Sequence, residues 1–140
     1  FCSKIINKFE KLNLEKIISV WGVTFKPGTD DIRESQAIKI IERLLKLDFK
    51  INVFDPSGTE NAKAYFSSSN KIDFFNDKYD ALLGAESLAL LTEWNEFRSP
   101  DFRKIKQALK TPIIFDGRNI YSKNELESIG LSYYQVGVKD

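Results

Sequence analysis

Short apolar runs rich in β-branched and aromatic residues alternate with amphipathic segments along the whole chain. The apolar runs lie at 17–23, 51–54, 72–75, 87–91, 112–115 and 131–136. Strands that are apolar throughout are typical of a parallel sheet that is covered on both faces. The segments at 4–12, 35–45, 58–66, 78–85, 100–109 and 123–129 predict helices. We therefore expect an α/β fold, a doubly wound (Rossmann-like) parallel sheet with helices on both faces, connected by right-handed crossovers.

The length and charge of the chain limit its organisation and its partners. A chain of 140 residues without a long linker suits a single domain with one sheet. The formal net charge is +1, so the protein has no broad attraction for nucleic acid or for an anionic membrane. No apolar run approaches the roughly 20 residues that a membrane-spanning helix needs. We expect neither nucleic acid nor membrane as a partner.

The chain has one cysteine, Cys2, and no histidine. A single thiol forms no internal disulfide, which favours the reducing cytoplasm. This composition also lacks the usual zinc ligands, so no metal site is expected. Cys2 sits in a helical apolar pattern and is interpreted as a packing residue. Residues 1–14 are interpreted as the tail of an inter-domain helix and residues 15–140 as a binding domain.

Cationic side chains follow two of the predicted strands. Ligands of open parallel sheets bind outside the carboxyl ends of the strands, and Lys26, Arg33 and Arg118 all lie in such positions. A local cluster of cations in a nearly neutral protein suits a phosphate or pyrophosphate. The helix beginning near Ser35 would add backbone N–H groups. The alternative is ordinary ion pairing with Asp30, Asp31 and Glu34.

The first strand is not followed by a dinucleotide-binding fingerprint. Gly22 precedes Val23-Thr24-Phe25, and no G-x-G-x-x-G opens the next helix. Asp55 occupies the position of a ribose-binding acid, but without the glycines it is better interpreted as a cap of the following helix. On the last predicted strand, Tyr133 and Tyr134 face opposite sides, so one is expected to be buried.

Four ordered segments carry a resemblance to a known family. They are Val23 to Ser35, which reads V-T-F-K-P-G-T-D-D-I-R-E-S; Val53-Phe54-Asp55-Pro56; Thr92 to Phe97, T-E-W-N-E-F; and Phe115 to Asn119, F-D-G-R-N. Together they resemble the UDP-glucose/GDP-mannose dehydrogenase family, and within it the UDP-glucose 6-dehydrogenases. The resemblance implies that residues 15–140 form a nucleotide-sugar (UDP)-binding domain at the carboxyl end of an NAD-dependent oxidoreductase.

The resemblance also implies roles for individual residues. Phe25 and Lys26 correspond to a pair that contacts the substrate, and Arg118 corresponds to an arginine that reaches the UDP-sugar. Arg33 corresponds to an arginine that reaches across the cleft to NAD. The family oxidises the C6 alcohol of UDP-glucose to UDP-glucuronate and reduces two NAD⁺.

The family's catalytic cysteine and its NAD-binding domain lie upstream of the segments that match. We therefore expect no catalytic residue here and no turnover by this chain alone. The implied partners are the N-terminal NAD-binding domain of the same chain and, in the full enzyme, further copies in a homo-oligomer.

Two alternatives remain. Within the family, the substrate could be GDP-mannose or a UDP-N-acetylhexosamine. Outside it, Asp30-Asp31 after the first strand resembles the acidic pair of a non-catalytic receiver module. A receiver, however, requires a lysine after its fifth strand, where this chain has Arg118.

Overall fold

A computed structural model describes residues 1–138. The strands are β1 (Ile17–Trp21), β2 (Lys50–Phe54), β3 (Ile72–Phe74), β4 (Ser87–Leu90), β5 (Ile113–Asp116) and β6 (Ser132–Gln135). The helices are α1 (Cys2–Lys11), α2 (Gln36–Lys46), α3 (Thr59–Tyr65), α4 (Phe102–Ala108) and α5 (Lys123–Ser128). Short 3₁₀ turns lie at Asp80–Leu82 and Asn95–Phe97. The predicted alternation of strands and helices is confirmed.

The six strands form one parallel sheet in the order β3-β2-β1-β4-β5-β6. Val20 of β1 pairs with Val53 on one side and with Ala89 of β4 on the other. The chain moves outward from β1 to β3 and then restarts beside β1 with β4. The connections that leave β1 and β4 therefore diverge, and the carboxyl ends of such a strand pair are the place where doubly wound sheets form a ligand crevice. The doubly wound architecture predicted from the sequence is confirmed, and this crevice positions the candidate site.

Each face of the sheet has its own core. Helices α1, α2 and α3 cover one face, where Phe9, Ile41 and Phe115 are buried. Helices α4 and α5 cover the other face, where Trp21 and Ile105 are buried. Because β1 and β4 bury side chains on both faces, their sequences show no alternation of apolar and polar residues, and even Ser19 and Ser87 are buried.

Helix α1 belongs to the core of this domain. Ile5 has 0% of its surface exposed and Phe9 has 3%. The Phe9 ring lies 5.1 Å from that of Phe49 and 6.5 Å from that of Phe115. Cys2 is also buried, and burial raises the pKa of its thiol. The helix therefore packs its apolar face inside the domain; its continuation into an inter-domain helix remains a proposal.

The segment at 78–85 differs from the helix that its pattern predicts, because only Asp80–Leu82 forms a 3₁₀ turn. The Asp77 carboxylate accepts hydrogen bonds from the backbone N–H groups of Tyr79 and Asp80. The Trp21 indole N–H donates to the Lys78 carbonyl at 2.9 Å. Side-chain partners thus replace the helical hydrogen bonds of this segment. None of the helices in residues 1–138 has the length and apolarity to cross a membrane.

Candidate functional site

Thr24 joins the loops that follow β1 and β4. The Thr92 hydroxyl donates to the Thr24 carbonyl at 3.0 Å, and the Trp94 indole N–H donates to Thr24 Oγ1 at 3.1 Å. Thr24 and Thr92 are both fully buried. These hydrogen bonds hold the two loops together at the carboxyl ends of β1 and β4.

Gly22 allows this close approach of the two loops. Its φ is +97°, and a Cβ at this position would lie 2.6 Å from the Cβ of Thr92. A side chain would therefore clash as well as strain the backbone. The glycine here brings two loops together and does not open a helix toward a pyrophosphate.

Asp55 organises the turn after β2. Its Oδ2 accepts from the Val23 N–H at 2.8 Å, and its Oδ1 accepts from the N–H groups of Ser57 and Gly58 at 2.9 and 2.6 Å. The residue is 4% exposed. Both carboxylate oxygens accept backbone N–H groups of the domain itself, so the role of Asp55 is structural. The prediction that it caps the following helix is wrong, because Asp55 orders the turn before α3 and the N-cap residue is Gly58.

Arg118 lies in the loop after β5, beside the loop after β4. Its backbone N–H donates to Asp116 Oδ1 at 2.7 Å, and its Nε–H donates to the Leu91 carbonyl at 3.0 Å. Glu93 Oε2 lies 3.3 Å from the same Nε. The guanidinium is thus anchored through Nε, and the Arg118 side chain as a whole stays 32% exposed. Arg118 is the arginine that the resemblance assigns to the substrate, and the side chain of its neighbour Glu93 is 27% exposed.

Phe25 and Lys26 follow Thr24 directly and are exposed; Phe25 has 47% of its surface accessible. Among residues 1–138, no carboxylate lies within ion-pair distance of Lys26 Nζ. The Phe25 N–H donates to the Asp31 carbonyl at 2.8 Å, which closes the loop between β1 and α2. Lys26 and Arg118 therefore occupy loops at the same edge of the sheet, linked through Thr24, Thr92 and Leu91.

Arg33 is paired within its own loop. Its Nε lies 3.0 Å from Asp31 Oδ1 and a terminal nitrogen lies 2.9 Å from Asp31 Oδ2. These hydrogen bonds hold the pKa of the Asp31 carboxyl below its ordinary value. The Arg33 side chain is nevertheless 86% exposed. The ion-pairing alternative thus describes Arg33 correctly, whereas the carboxylate beside Arg118 is that of Glu93.

Two open grooves border this loop. The larger, of about 840 Å³, runs between the Asp30–Arg33 segment and the α3 residues Asn61 and Tyr65. The second, of about 300 Å³, is lined by Phe25, Asp31, Arg33 and Glu34. In the described part of the chain, no group of three or more His, Cys, Asp or Glu side chains could hold a metal ion.

Helix α2 begins directly after Ser35, as predicted, but the side chain of this N-cap residue makes no capping hydrogen bond. Its hydroxyl is buried without a partner among the described residues. The predicted start of α2 is therefore confirmed, whereas the Ser35 hydroxyl does not cap the helix.

The sequence model of the "UDP-glucose/GDP-mannose dehydrogenase family, UDP binding domain" matches residues 19–123. The chain belongs to this family. All four segments that carried the resemblance lie inside the matched region of this UDP-binding domain. The recognition made from the sequence is thus confirmed.

Curated relatives of this UDP-binding domain are named UDP-glucose 6-dehydrogenase. The protein of Rhizobium meliloti (strain 1021) is 42% identical over 123 residues, which cover 88% of this chain and 28% of that protein. That of Rickettsia bellii (strain RML369-C) is 43% identical over 124 residues, or 89% of this chain and 28% of that protein. The chain spans about 28% of the length of these relatives.

Solved structures of dehydrogenases contain the same fold. A UDP-D-ManNAc dehydrogenase from Pyrococcus horikoshii superposes with a TM-score of 0.76 at 26% identity, over 98% of this chain and 30% of that chain. A UDP-glucose dehydrogenase from Pyrobaculum islandicum gives 0.73 at 24% identity, over 93% and 28%, and supports the fold alone.

Proposed function

We propose that this chain is the C-terminal substrate-binding domain of an NAD-dependent UDP-glucose 6-dehydrogenase, which converts UDP-glucose to UDP-glucuronate. Membership of the family and relatives above 40% identity that carry this name support the proposal. The UDP-sugar would occupy the crevice at the carboxyl ends of β1, β4 and β5.

The observation that carries the proposal is the linkage of three strand-end loops at one edge of the sheet. Thr92 and Trp94 hold the loop of Phe25 and Lys26, and Leu91 holds Arg118. Lys26 supplies a compact charge, whereas Arg118 supplies a planar fork that suits two oxygens of a diphosphate. Phe25 adds an exposed aromatic ring against which the apolar face of a bound ligand can pack.

NAD is assigned mainly to the N-terminal domain of the same full-length protein. In this chain Gly22 lies against Thr92, and the buried Asp55 carboxylate accepts three backbone N–H groups. Both positions that bind a dinucleotide in a Rossmann unit are therefore used for contacts within the domain. Arg33, exposed on its loop, would reach NAD across the cleft by exchanging part of its pairing with Asp31. When bound, NAD supplies the hydride acceptor.

The chemical steps are assigned to residues outside this chain. Cys2 is 7% exposed and burial raises the pKa of its thiol, which suits a packing residue and opposes a thiolate nucleophile. The chain alone is proposed to be inactive. The full enzyme is proposed to be a cytoplasmic homo-oligomer.

A UDP-N-acetylhexosamine is the second candidate substrate, because the structure from Pyrococcus horikoshii is named for UDP-D-ManNAc. The receiver-like alternative loses its basis, since the Asp31 carboxylate is bound to Arg33. GDP-mannose remains the alternative substrate, and it differs from UDP-glucose in carrying guanine in place of uracil.

Calorimetric titration with UDP, GDP and UMP tests the proposal directly. We expect UDP to bind more tightly than UMP, because the second phosphate adds contacts to Lys26 and Arg118, and more tightly than GDP. Tighter binding of GDP would assign the domain to a GDP-sugar enzyme, and no binding of any of the three would contradict the proposal.

A further inference from the structure

The loop that carries Arg118 is wrapped around one buried carboxylate, that of Asp116, which is 0% exposed. Its Oδ1 accepts from the backbone N–H groups of Arg118 and Asn119 at 2.7 and 2.8 Å. Its Oδ2 accepts from the N–H of Ile120 at 2.8 Å and, more weakly, from that of Tyr121 at 3.3 Å. Successive N–H groups that converge on an anion define the backbone of the loop. Asn119 is held at a φ of +58°, which non-glycine residues rarely adopt.

Tyr133 completes the coordination of this carboxylate from β6. Its hydroxyl lies 2.5 Å from Asp116 Oδ2 and also accepts from the Tyr121 N–H at 3.2 Å. A hydroxyl has a single hydrogen, and the short contact to a charged oxygen takes it. Burial, together with the Asp116 carboxylate, raises the pKa of the Tyr133 phenol, so it remains a donor. The residue is 2% exposed and cannot contact a ligand in the crevice.

The loop backbone in turn sets the direction of the Arg118 guanidinium. Nε is held by the Leu91 carbonyl and lies beside Glu93. Its terminal nitrogens have no hydrogen-bond acceptor among residues 1–138. A guanidinium that is fixed at Nε and unpaired at its ends presents a ready fork to an anion.

We propose that Tyr133 is a positioning residue for Arg118. The Tyr133 hydroxyl holds the Asp116 carboxylate, the carboxylate holds the loop, and the loop holds the guanidinium toward the diphosphate. The diphosphate part rests on the proposed function, whereas the coupling of Tyr133 to Arg118 does not. Tyr133 lies outside residues 19–123, which the family's sequence model matches.

The Arg118 Nε–H signal in an NMR spectrum tests the coupling without any ligand. The signal is assigned by its loss in Arg118→Lys. In the unaltered chain we expect it to be resolved from that of Arg98, an exposed arginine, because it donates to Leu91. In Tyr133→Phe it should move to the position of exposed arginines. An unchanged signal overturns the proposal.

Tyr121→Phe is the matched control. Its hydroxyl is also buried, but it donates to the Phe97 carbonyl and does not contact Asp116. The Arg118 signal should persist in this variant; equal loss in both variants would indicate general loosening and overturn the proposal. If Tyr133→Phe is unfolded by circular dichroism, both spectra are recorded in sucrose, which favours the compact state.

A double-mutant cycle on UDP affinity supplies the functional readout. Tyr133→Phe should weaken UDP binding about fivefold in the unaltered background and have no effect in an Arg118→Ala background, because coupled residues are not additive. Equal losses in both backgrounds overturn the positioning role. If the unaltered chain does not bind UDP, the proposed function fails, and the NMR comparison still decides the role of Tyr133.

Discussion

The Trp94 indole N–H donates a hydrogen bond to Thr24 Oγ1 at 3.1 Å, across 70 residues of sequence and between two loops of the crevice. Trp94 follows β4, and Thr24 immediately precedes the exposed pair Phe25 and Lys26. The position of that pair relative to the sheet therefore depends on a contact that neither residue makes itself. This linkage is the basis of the first prediction.

Trp94→Phe should weaken UDP binding by about three- to tenfold, because it removes the indole donor, a contribution of about 1 kcal/mol, and lets the Phe25–Lys26 loop move. Titration calorimetry measures the affinity. Thr24→Val removes the same hydrogen bond from the other side and should give a similar loss. If the two single variants and the double variant lose affinity additively, the bond does not hold the loop.

Lys26→Ala should reduce UDP affinity about tenfold or more with no change in thermal stability, because the side chain is exposed and its charge-assisted contact with a phosphate contributes about 1.5–3 kcal/mol. The loss should shrink as ionic strength rises. Lys39→Ala, at an exposed lysine of α2, is the matched control and should bind UDP normally. Unchanged affinity of Lys26→Ala would remove Lys26 from the site.

Gly22→Ala should lower the free energy of unfolding by about 2–4 kcal/mol, since it adds a clash with Thr92 to the strain of a positive φ. Gly28→Ala is an informative control, because Gly28 also has a positive φ, of +84°, but has nothing within 4 Å of a built Cβ. It should cost only about 1 kcal/mol, the backbone strain alone. Urea unfolding measures the free energy of unfolding of both variants. Equal losses of stability in the two variants would show that the loops after β1 and β4 do not approach closely at Gly22.

The carboxyl of Asp31 should titrate below its ordinary pKa because Arg33 hydrogen-bonds it. A depressed pKa means that the ion pair stabilises the loop above the unfolded pKa and that this stabilisation disappears as pH falls through the folded pKa. Carboxyl NMR titration should show the pKa of Asp31 rising toward its ordinary value in Arg33→Ala. No change in that variant would mean that the pair does not persist in solution.

The architecture was predictable because it depends on local patterns. Runs such as Ile17 to Trp21 are apolar at every position except Ser19, which indicates burial on both faces, and the intervening helices repeat their apolar residues at helical spacing. The strand-end rule then placed Lys26 and Arg118 at one edge of the sheet. The segment at 78–85 was mispredicted as a helix. Its backbone instead bonds to the side chains of Asp77 and Trp21, and the spacing of apolar residues does not reveal these hydrogen bonds.

The support of the site was not predictable, because it depends on contacts between distant residues. Thr24 and Trp94 have no sequence pattern that links them, and neither do Asp116 and Tyr133. Tyr133 was expected only to be one of two alternating tyrosines; the structure buries it and leaves Tyr134 half-buried, stacked on Phe115 at 5.6 Å between ring centroids. Only the packed sheet brings such pairs together.

Chemical-shift mapping of the chain with UDP tests the central claim most directly. We expect the backbone signals of Phe25, Lys26 and Arg118 to shift together with saturation, along with the indole signal of Trp94. If UDP instead shifts residues of the groove between Asp30 and Tyr65, or shifts the Lys26 and Arg118 loops independently, the three strand-end loops do not form one diphosphate site and the account is contradicted.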